Sequence, residues 1–330
     1  MAMIGWLRIV VLALAFIMTS FTGTASAQAV PTRIIPVDYQ GWTNSYLMTN
    51  GKVEAIVVPA IARVMQFRMV GDDTGVFWIN EELLGKHPKE KSDTWDNFGG
   101  DKTWPAPQQD WPKMIGRGWP PPTGFDAKPM DAKVDRDVLV LTSKPDPEYG
   151  IEVVRRVALT AEATAMTITT EYHKLSGSPV TVAVWVITQM RDPQNIFALL
   201  PAKPTFPGGY KQFMGPPPKD IRIDGRLLSM SRDPKNEINI GTDSSSLVWV
   251  GSDYVVRIDS ERGAGDYPSG GCSAFLYTNP DRAPYVELET VGPLSTMKVG
   301  DTIRRTDTYT MVHRGNLDST AEAKMMLGLR

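Results

Sequence analysis

Cysteine and histidine are scarce: the 330-residue chain contains one cysteine and three histidines. A lone cysteine forms no disulfide within the chain, so stability must come from the apolar core, and we interpret Cys272 as a buried structural thiol. His87, His173 and His313 are not spaced as a metal-binding pair, which argues against a zinc site of His and Cys ligands. The sequence therefore predicts no metal site and no other cofactor, and it leaves open only a Ca²⁺ ion held by backbone and Asp oxygens.

An excess of positive charge is also lacking, since 35 Lys and Arg residues stand against 37 Asp and Glu residues and the formal net charge is −2. Nucleic-acid backbones are held by an excess of Lys and Arg, so we expect no nucleic-acid partner. The sequence has neither the Gly-x-Ser-x-Gly elbow of serine hydrolases nor a Walker loop for nucleotides.

Long apolar runs are absent after the first residues of the chain. Arg8 precedes an apolar run over 9–18 that is too short to span a bilayer, and Ala25 and Ala27 suit signal peptidase. We therefore predict a signal peptide over 1–27, with cleavage after Ala27 and a mature chain beginning at Gln28. The product would be periplasmic or secreted and free of membrane spans. An uncleaved membrane anchor is the alternative.

Hydrophobic residues alternate with a period of two through most of the mature chain, which is typical of β-strands. The clearest case is 180–190, where four valines share one face. Similar runs cover 53–58, 62–70, 76–79, 138–142, 151–159, 165–172, 247–250, 254–258, 274–278, 285–290 and 302–312. The pattern predicts an all-β protein: one large antiparallel β-sandwich over 28–330, ending in a short helix over 321–329 with Ser319 as N-cap and Glu322 completing a capping box.

Two long segments interrupt the strand rhythm, at 80–129 and at 200–220. The first is a predicted insertion that carries Trp95, Trp104, Trp111 and Trp119 among prolines and glycines. Loops of this length inside a domain are functional or disordered, and four tryptophans favour order. We therefore predict an ordered loop that covers one end or one face of the sandwich.

Two glutamates form the best acidic pair. Glu287 and Glu289 lie on one predicted strand, with Val286 and Leu288 facing the core, so their carboxylates would be about 6 to 7 Å apart on the same face. Like charges at this distance raise the pKa of one of them, which suits a general base or a grip on sugar hydroxyls. A solvated strand face is the alternative.

The tryptophans of the loop are a second candidate feature. Trp104 follows Asp101 and Lys102 in a glycine-rich stretch, and Trp119 comes shortly after it. Indole faces stack on the C–H faces of sugar rings, while nearby charged side chains meet the hydroxyls. The alternative is that these tryptophans pack the loop onto its own domain.

Four segments, taken in chain order, resemble the galactose mutarotase-like superfamily: 50–64, Phe98-Gly99-Gly100, 180–190 and the glutamates near Glu289. More closely, they resemble a secreted branch known mainly as a domain of unknown function. The resemblance covers about 41–312. It implies a large antiparallel β-supersandwich whose concave face binds a sugar.

In the mutarotases that this resemblance points to, a glutamate acts as base on the anomeric hydroxyl and a histidine acts as acid on the ring oxygen. The resemblance places the base on Glu289 or Glu287, with Glu289 preferred. It places Trp185 at the position of the acid histidine and Phe98 at that of a second histidine. Neither side chain can transfer a proton to a ring oxygen, so the chain keeps a base and the sugar cleft but lacks the acid.

We therefore expect a periplasmic or secreted carbohydrate-binding protein whose partner is a sugar or oligosaccharide. The expected contacts are stacking surfaces and polar groups: Trp104, Trp119, Trp185, Arg63, Asp101, Lys102, Gln189, Glu287 and Glu289. Arg63 and Lys102 slightly favour an anionic sugar. The alternatives are a sugar enzyme, either an epimerase-like isomerase or a lyase or hydrolase with Glu289 as base and Asp101 as a second carboxylate, and an envelope protein that binds another protein. The sequence leaves the oligomeric state open.

Overall fold

The computed structural model of the chain describes residues 31–89, 94–126 and 128–329. The predicted signal peptide over 1–27 lies outside them and remains a prediction. Within the described residues, twenty-one strands form two antiparallel sheets, one of eleven strands and one of ten. The prediction of an all-β antiparallel sandwich is confirmed.

The eleven-stranded sheet carries the site discussed below. Numbered along the chain and given in spatial order, its strands are β1 (Arg33–Tyr39), β2 (Trp42–Thr49), β3 (Val53–Val58), β4 (Arg63–Met69), β5 (Asp101–Ala106), β10 (Val180–Arg191), β19 (Tyr285–Val291), β18 (Ala274–Thr278), β15 (Ile238–Thr242) and β12 (Lys211–Met214). The eleventh strand, β20 (Ser295–Met297), pairs with the beginning of β10. The two edges of the sheet are therefore β1 and β12.

The ten-stranded sheet covers one face of the first. Its strands in spatial order are β13 (Arg222–Asp224), β14 (Leu227–Met230), β11 (Asn195–Leu199), β16 (Ser246–Val250), β17 (Tyr254–Asp259), β21 (Thr302–His313), β9 (Ala165–Lys174), β8 (Ile151–Leu159), β7 (Val138–Thr142) and β6 (Asp131–Asp135). The helices are α1 (Trp111–Ile115), α2 (Thr123–Asp126), α3 (Pro268–Gly271) and α4 (Ser319–Leu327). Short 3₁₀ turns occupy Pro59–Ile61, Glu81–Leu83, Gln108–Asp110 and Pro207–Gly209.

The main core lies between the two sheets. On β10 the alternating valines Val182, Val184 and Val186 are buried there, and Val286 and Leu288 of β19 join them. A polar contact also crosses the core, where the carboxylate of Asp101 on β5 pairs with Arg155 of β8. Asp101 additionally accepts hydrogen bonds from the hydroxyls of Thr188 and Tyr309, at 2.7 Å each.

The predicted loop over 80–129 is wrong in one part, because it contains β5, a strand with every residue buried between β4 and β10. Gly99 and Gly100 lead into β5 with φ angles of 91° and 69°. A Cβ on Gly99 would lie 2.3 Å from the carbonyl oxygen of Trp78, so only glycine allows this close approach. Pro105 lies inside this strand. Because proline donates no ladder hydrogen bond and is rare in central strands, its presence made the segment resemble a turn.

Two further expectations differ in detail. The run over 76–79 forms only single bridges, from Phe77 to Met190 and from Ile79 to Gly99. In α4 the N-cap is Asp318, whose side chain accepts from the backbone N–H groups of Thr320 and Ala321, and Ser319 is the first helical residue. Asp outcompetes the adjacent serine because its carboxylate carries the charge favoured at a helix N-terminus.

Candidate functional site

The predicted site residues lie mainly on the face of the eleven-stranded sheet that points away from the second sheet. Alternation along β19 places Glu287 and Glu289 on this outer face while Val286 and Leu288 enter the core. The strand register then aligns the outer-face side chains in three rows: Trp104, Trp185 and Val291; Lys102, Ile187, Glu289, Phe275 and Gly241; and Gln189, Glu287, Tyr277 and Asn239.

A cavity of about 450 Å³ opens on this face. Trp185, Phe275, Asn239 and Glu289 line it from the sheet, and Pro107 and Pro112 of the segment after β5 also line it. The indole Nε1 of Trp185 donates a hydrogen bond to Oε2 of Glu289 at 2.7 Å. Trp185 is half-buried, whereas Glu289 is only 1% exposed. Trp185, a predicted stacking residue, and Glu289, the preferred carboxylate, therefore lie side by side in the wall of the cavity.

Three other predicted residues form a buried polar group beside this wall. Gln189 donates to Oε1 of Glu287 at 2.9 Å, and the ammonium of Lys102 lies 3.5 Å from the same oxygen. Lys102 is fully buried and its Nζ also lies 5.4 and 5.2 Å from the ring centroids of Trp95 and Trp104. The charge of Lys102 is therefore stabilised by the ion pair with Glu287 and by cation–π contacts with the two rings. Lys102 does not line the cavity.

Arg63 is likewise sequestered. Its guanidinium pairs with the carboxylate of Asp126 at 2.9 Å and also donates to the backbone carbonyl of Asp126. The same carboxylate accepts from the indole N–H of Trp104 at 2.6 Å and from that of Trp95 at 3.0 Å. Asp126, which the sequence analysis did not single out, is the shared partner of Arg63, Trp95 and Trp104. It fastens the tryptophan-rich segment to the sheet.

Five tryptophans contact one another above the sheet, through ring centroids 5.2 to 6.5 Å apart: Trp95, Trp104, Trp111, Trp119 and Trp185. We call them the tryptophan cluster. Trp104 and Trp111 are buried, whereas Trp119 is 46% exposed at the outer end. Trp104 and Trp111 therefore pack the segment onto its domain, whereas Trp95 and Trp185 are half-buried and Trp119 is the most exposed member.

Asp101 does not join the site. Alternation on β5 turns its side chain toward the second sheet, opposite to Lys102 and Trp104, and its carboxylate is fully buried there. A hydrolase that uses Asp101 as second carboxylate is therefore incompatible with this geometry. Phe98 packs against Trp42 in a small apolar cluster and makes no contribution to the cavity.

Burial shifts the pKa values of the charged groups. Desolvation raises the pKa of Glu287 and lowers that of Lys102, and the attraction between the two opposes both shifts. The pKa of Glu289 lies well above its ordinary value of 4.5, because desolvation and the nearby Glu287 together outweigh the hydrogen bond from Trp185. Asn239 is another cavity residue the sequence analysis missed, and its buried Oδ1 has no hydrogen-bond partner among the described residues.

The histidines lie elsewhere. His87 is exposed, His173 contacts Glu171 on the ten-stranded sheet, and the ring of His313 lies against that of Tyr254 at an interplanar angle of 41°. Cys272 is buried beside Phe275, and burial raises its thiol pKa to about 12, in agreement with a structural role. No group of three or more His, Cys, Asp or Glu side chains within the described ranges is arranged to hold a metal. None of the helices described is long and apolar enough to cross a membrane.

A two-layer antiparallel sandwich with a ligand-sized cavity on its outer face defines the class of this protein. Solved structures make the class more specific. A galactose mutarotase-like protein from Lactobacillus casei superimposes with a TM-score of 0.54 over 81% of this chain and 100% of its own, at 11% identity. A galactose mutarotase related enzyme from Lactobacillus acidophilus gives 0.52 over 83% and 98%, at 12% identity.

The chain therefore has the galactose mutarotase-like fold, and the predicted resemblance is confirmed at the level of the fold. No protein-family profile matches the sequence. No curated protein matches it at a significant level.

Proposed function

We propose that this chain binds a carbohydrate in the cavity at Trp185 and Glu289. The main support for this proposal is the 2.7 Å hydrogen bond that holds the Trp185 indole against the Glu289 carboxyl group in the cavity wall. A ring held in place this way offers stacking area without losing side-chain freedom on binding. Phe275 adds a second aromatic ring, and the fold is shared with proteins described as mutarotase-like.

Binding is favoured over catalysis by the chemistry of the lining. Glu289 is the only titratable side chain among the described residues that line the cavity. Anomer interconversion needs both a base and an acid, and glycoside hydrolysis needs two carboxyl groups flanking the bond. Among the described lining residues only Glu289 can transfer a proton. It can bind a sugar hydroxyl, but it cannot act alone as the acid–base pair of an epimerase or as the two carboxyl groups of a glycosidase.

An aldose 1-epimerase-like isomerase is the second candidate. The observation in its favour is the strongly raised pKa of Glu289 in a cleft, a feature that clusters at catalytic sites. In that case a water molecule or the substrate itself would have to carry the second proton.

The test combines calorimetry and tryptophan fluorescence of the purified protein with neutral sugars, uronic acids and oligosaccharides. Trp185→Ala should weaken binding of any hit about tenfold or more through lost stacking. Trp249→Phe is the matched control, since Trp249 is a buried indole on the other sheet that donates to a backbone carbonyl.

Proton NMR of each hit separates the two candidates. Binding without anomer exchange or new products supports recognition. Accelerated exchange that Glu289→Gln abolishes supports the isomerase. Failure of every sugar to bind would contradict both and would favour a protein partner for the exposed residues Trp119, Phe213 and Met214.

A further inference from the structure

The outer face carries more buried carboxylates than cations. Arg63 pairs with Asp126, and Lys102 pairs with Glu287. Glu289 has no ion-pair partner among the described residues, although it is 1% exposed. An isolated buried carboxylate is strongly disfavoured in a low-dielectric site, and such a group takes up a proton instead.

The hydrogen bonds of Glu289 leave room for that proton. Oε2 accepts from the Trp185 indole, whereas Oε1 makes no hydrogen bond within the part of the chain that the structure describes. A protonated carboxyl group adds an O–H donor to its acceptor capacity. The nearby Asn239 contributes Oδ1, a buried acceptor without a partner, to the same cavity. The lining therefore offers one donor and one acceptor, which is the complement of sugar hydroxyls.

We infer that Glu289 is a neutral carboxylic acid that donates a hydrogen bond to the ligand, and that the cavity selects uncharged sugars over uronic acids and amino sugars. The inference rests on the proposed function and reverses the expected preference for an anionic sugar. That expectation relied on Arg63 and Lys102, which are fully buried and already paired. The described residues that line the cavity include no Lys or Arg to pair with a uronate and, with Glu289 neutral, no anion to pair with an ammonium group.

The surroundings of Glu289 support this protonation state. The charged groups that act on it are Glu287 on its own strand, which disfavours ionisation, and Lys102 on β5, which favours it. From β10 the neutral Trp185 donates to it, and from β18 it faces the neutral Phe275. Desolvation and Glu287 dominate, so the folded-state pKa of Glu289 is raised well above 4.5.

The first measurement needs no ligand. Infrared difference spectra of the protein against Glu289→Gln, near neutral pH, should show a protonated-carboxyl carbonyl band that is lost in the variant. Glu82→Gln, at an exposed site, is the control and should leave that band unchanged. Absence of a Glu289-dependent carboxylic acid band would overturn the inference, whether or not any sugar binds.

The second measurement compares a neutral hexose with the matching uronic acid and amino sugar by calorimetry across pH. The hexose should bind at least about tenfold more tightly than either charged analogue, and its affinity should fall by up to about tenfold per pH unit above the pKa of Glu289. Glu289→Gln, which keeps a neutral donor, should bind the hexose within about threefold and lose the pH dependence. Asn239→Ala should weaken binding about fivefold to tenfold through the lost acceptor.

Failure of the inference is distinct from failure of the proposed function. If sugars bind but the uronic acid or the amino sugar binds most tightly, or if hexose affinity is independent of pH in the native protein, Glu289 does not act as a neutral donor. If no sugar binds, the proposed function fails, and the infrared measurement still decides the state of Glu289.

Discussion

At the scale of single residues, two neighbouring glutamates on the same face of β19 have different partners. Glu287 pairs with the ammonium of Lys102 and accepts a hydrogen bond from Gln189. Among the described residues, Glu289 accepts a hydrogen bond only from the neutral indole of Trp185. Both carboxyl groups are buried and burial raises both pKa values, but the charge of Lys102 opposes the rise more strongly at Glu287, whereas Glu287 itself adds to the rise at Glu289. The proposal that Glu289 is the neutral member of the pair follows from this difference.

The raised pKa of Glu289 makes stability depend on pH. Because the folded state binds this proton more tightly than the unfolded state, the stabilisation is fully present below the ordinary pKa of 4.5 and is lost as the pH rises through the folded-state pKa. Urea unfolding from about pH 5 to about pH 9 should show that Glu289→Gln gains stability relative to the native protein, by up to about 1.4 kcal/mol per pH unit. The exposed Glu82→Gln variant should show no such trend, and equal pH slopes for Glu289→Gln and the native protein would contradict the prediction.

Strand alternation was enough to predict that Glu287 and Glu289 lie on one face of their strand, but the pairing that places Trp185 and Gln189 beside them is visible only in the structure. Alternation also could not predict that Lys102 forms an ion pair with Glu287, because the two residues are 185 positions apart along the chain. For the same reason Asp126, 63 residues after Arg63, was missed. Charges read from sequence carry no information on the ion pairs that the fold makes.

At the scale of elements, most of the predicted strands were found because their alternating pattern reflects one buried and one less buried face. The strand β5 was missed because it is buried on both faces and contains Pro105, which removes the alternation and mimics a turn. Its tryptophan and lysine resembled loop residues, yet they are the outer-face side chains of a central strand.

The segment that follows β5 is fastened by one carboxylate. Asp126 accepts hydrogen bonds from Arg63, Trp95 and Trp104 at once. Asp126→Asn would leave Arg63 without its counter-ion and one indole N–H without an acceptor, so we expect a loss of about 3 to 5 kcal/mol in the free energy of unfolding. Guanidinium unfolding followed by tryptophan emission measures both the stability and the environment of the tryptophan cluster.

Asp110→Asn is the matched control, since Asp110 lies in the same segment, is exposed and makes no capping hydrogen bond. It should change the stability by less than about 0.5 kcal/mol. An Asp126→Asn protein as stable as this control, with unchanged emission, would show that the segment is held by apolar packing alone.

At the scale of the whole molecule, the sheet that carries the site is tied to the second sheet through a polar contact in the core. Asp101 of β5 binds Arg155 of β8, Thr188 of β10 and Tyr309 of β21, and all four side chains are fully or almost fully buried. Lys102 lies on β5 next to Asp101, and Trp185 lies on β10 three residues before Thr188, so the strands that make these core contacts also carry the outer-face side chains. The position of the cavity wall therefore depends on contacts made by the opposite face of the sheet.

Breaking the Asp101–Arg155 pair should destabilise the sandwich because each partner would leave an uncompensated buried charge. We expect Asp101→Asn and Arg155→Met each to cost about 3 to 5 kcal/mol in urea unfolding, and the double variant to cost clearly less than the sum, since it removes both charges. Arg156→Met tests the specificity: Arg156 is the next residue on β8, on its outer face, with a side chain 43% exposed and 3.5 Å from Glu171. That exposed pair should contribute less than about 1 kcal/mol. Additive losses from Asp101→Asn and Arg155→Met would mean that each residue is held by its other partners and that the two sheets are joined by apolar packing without this ion pair.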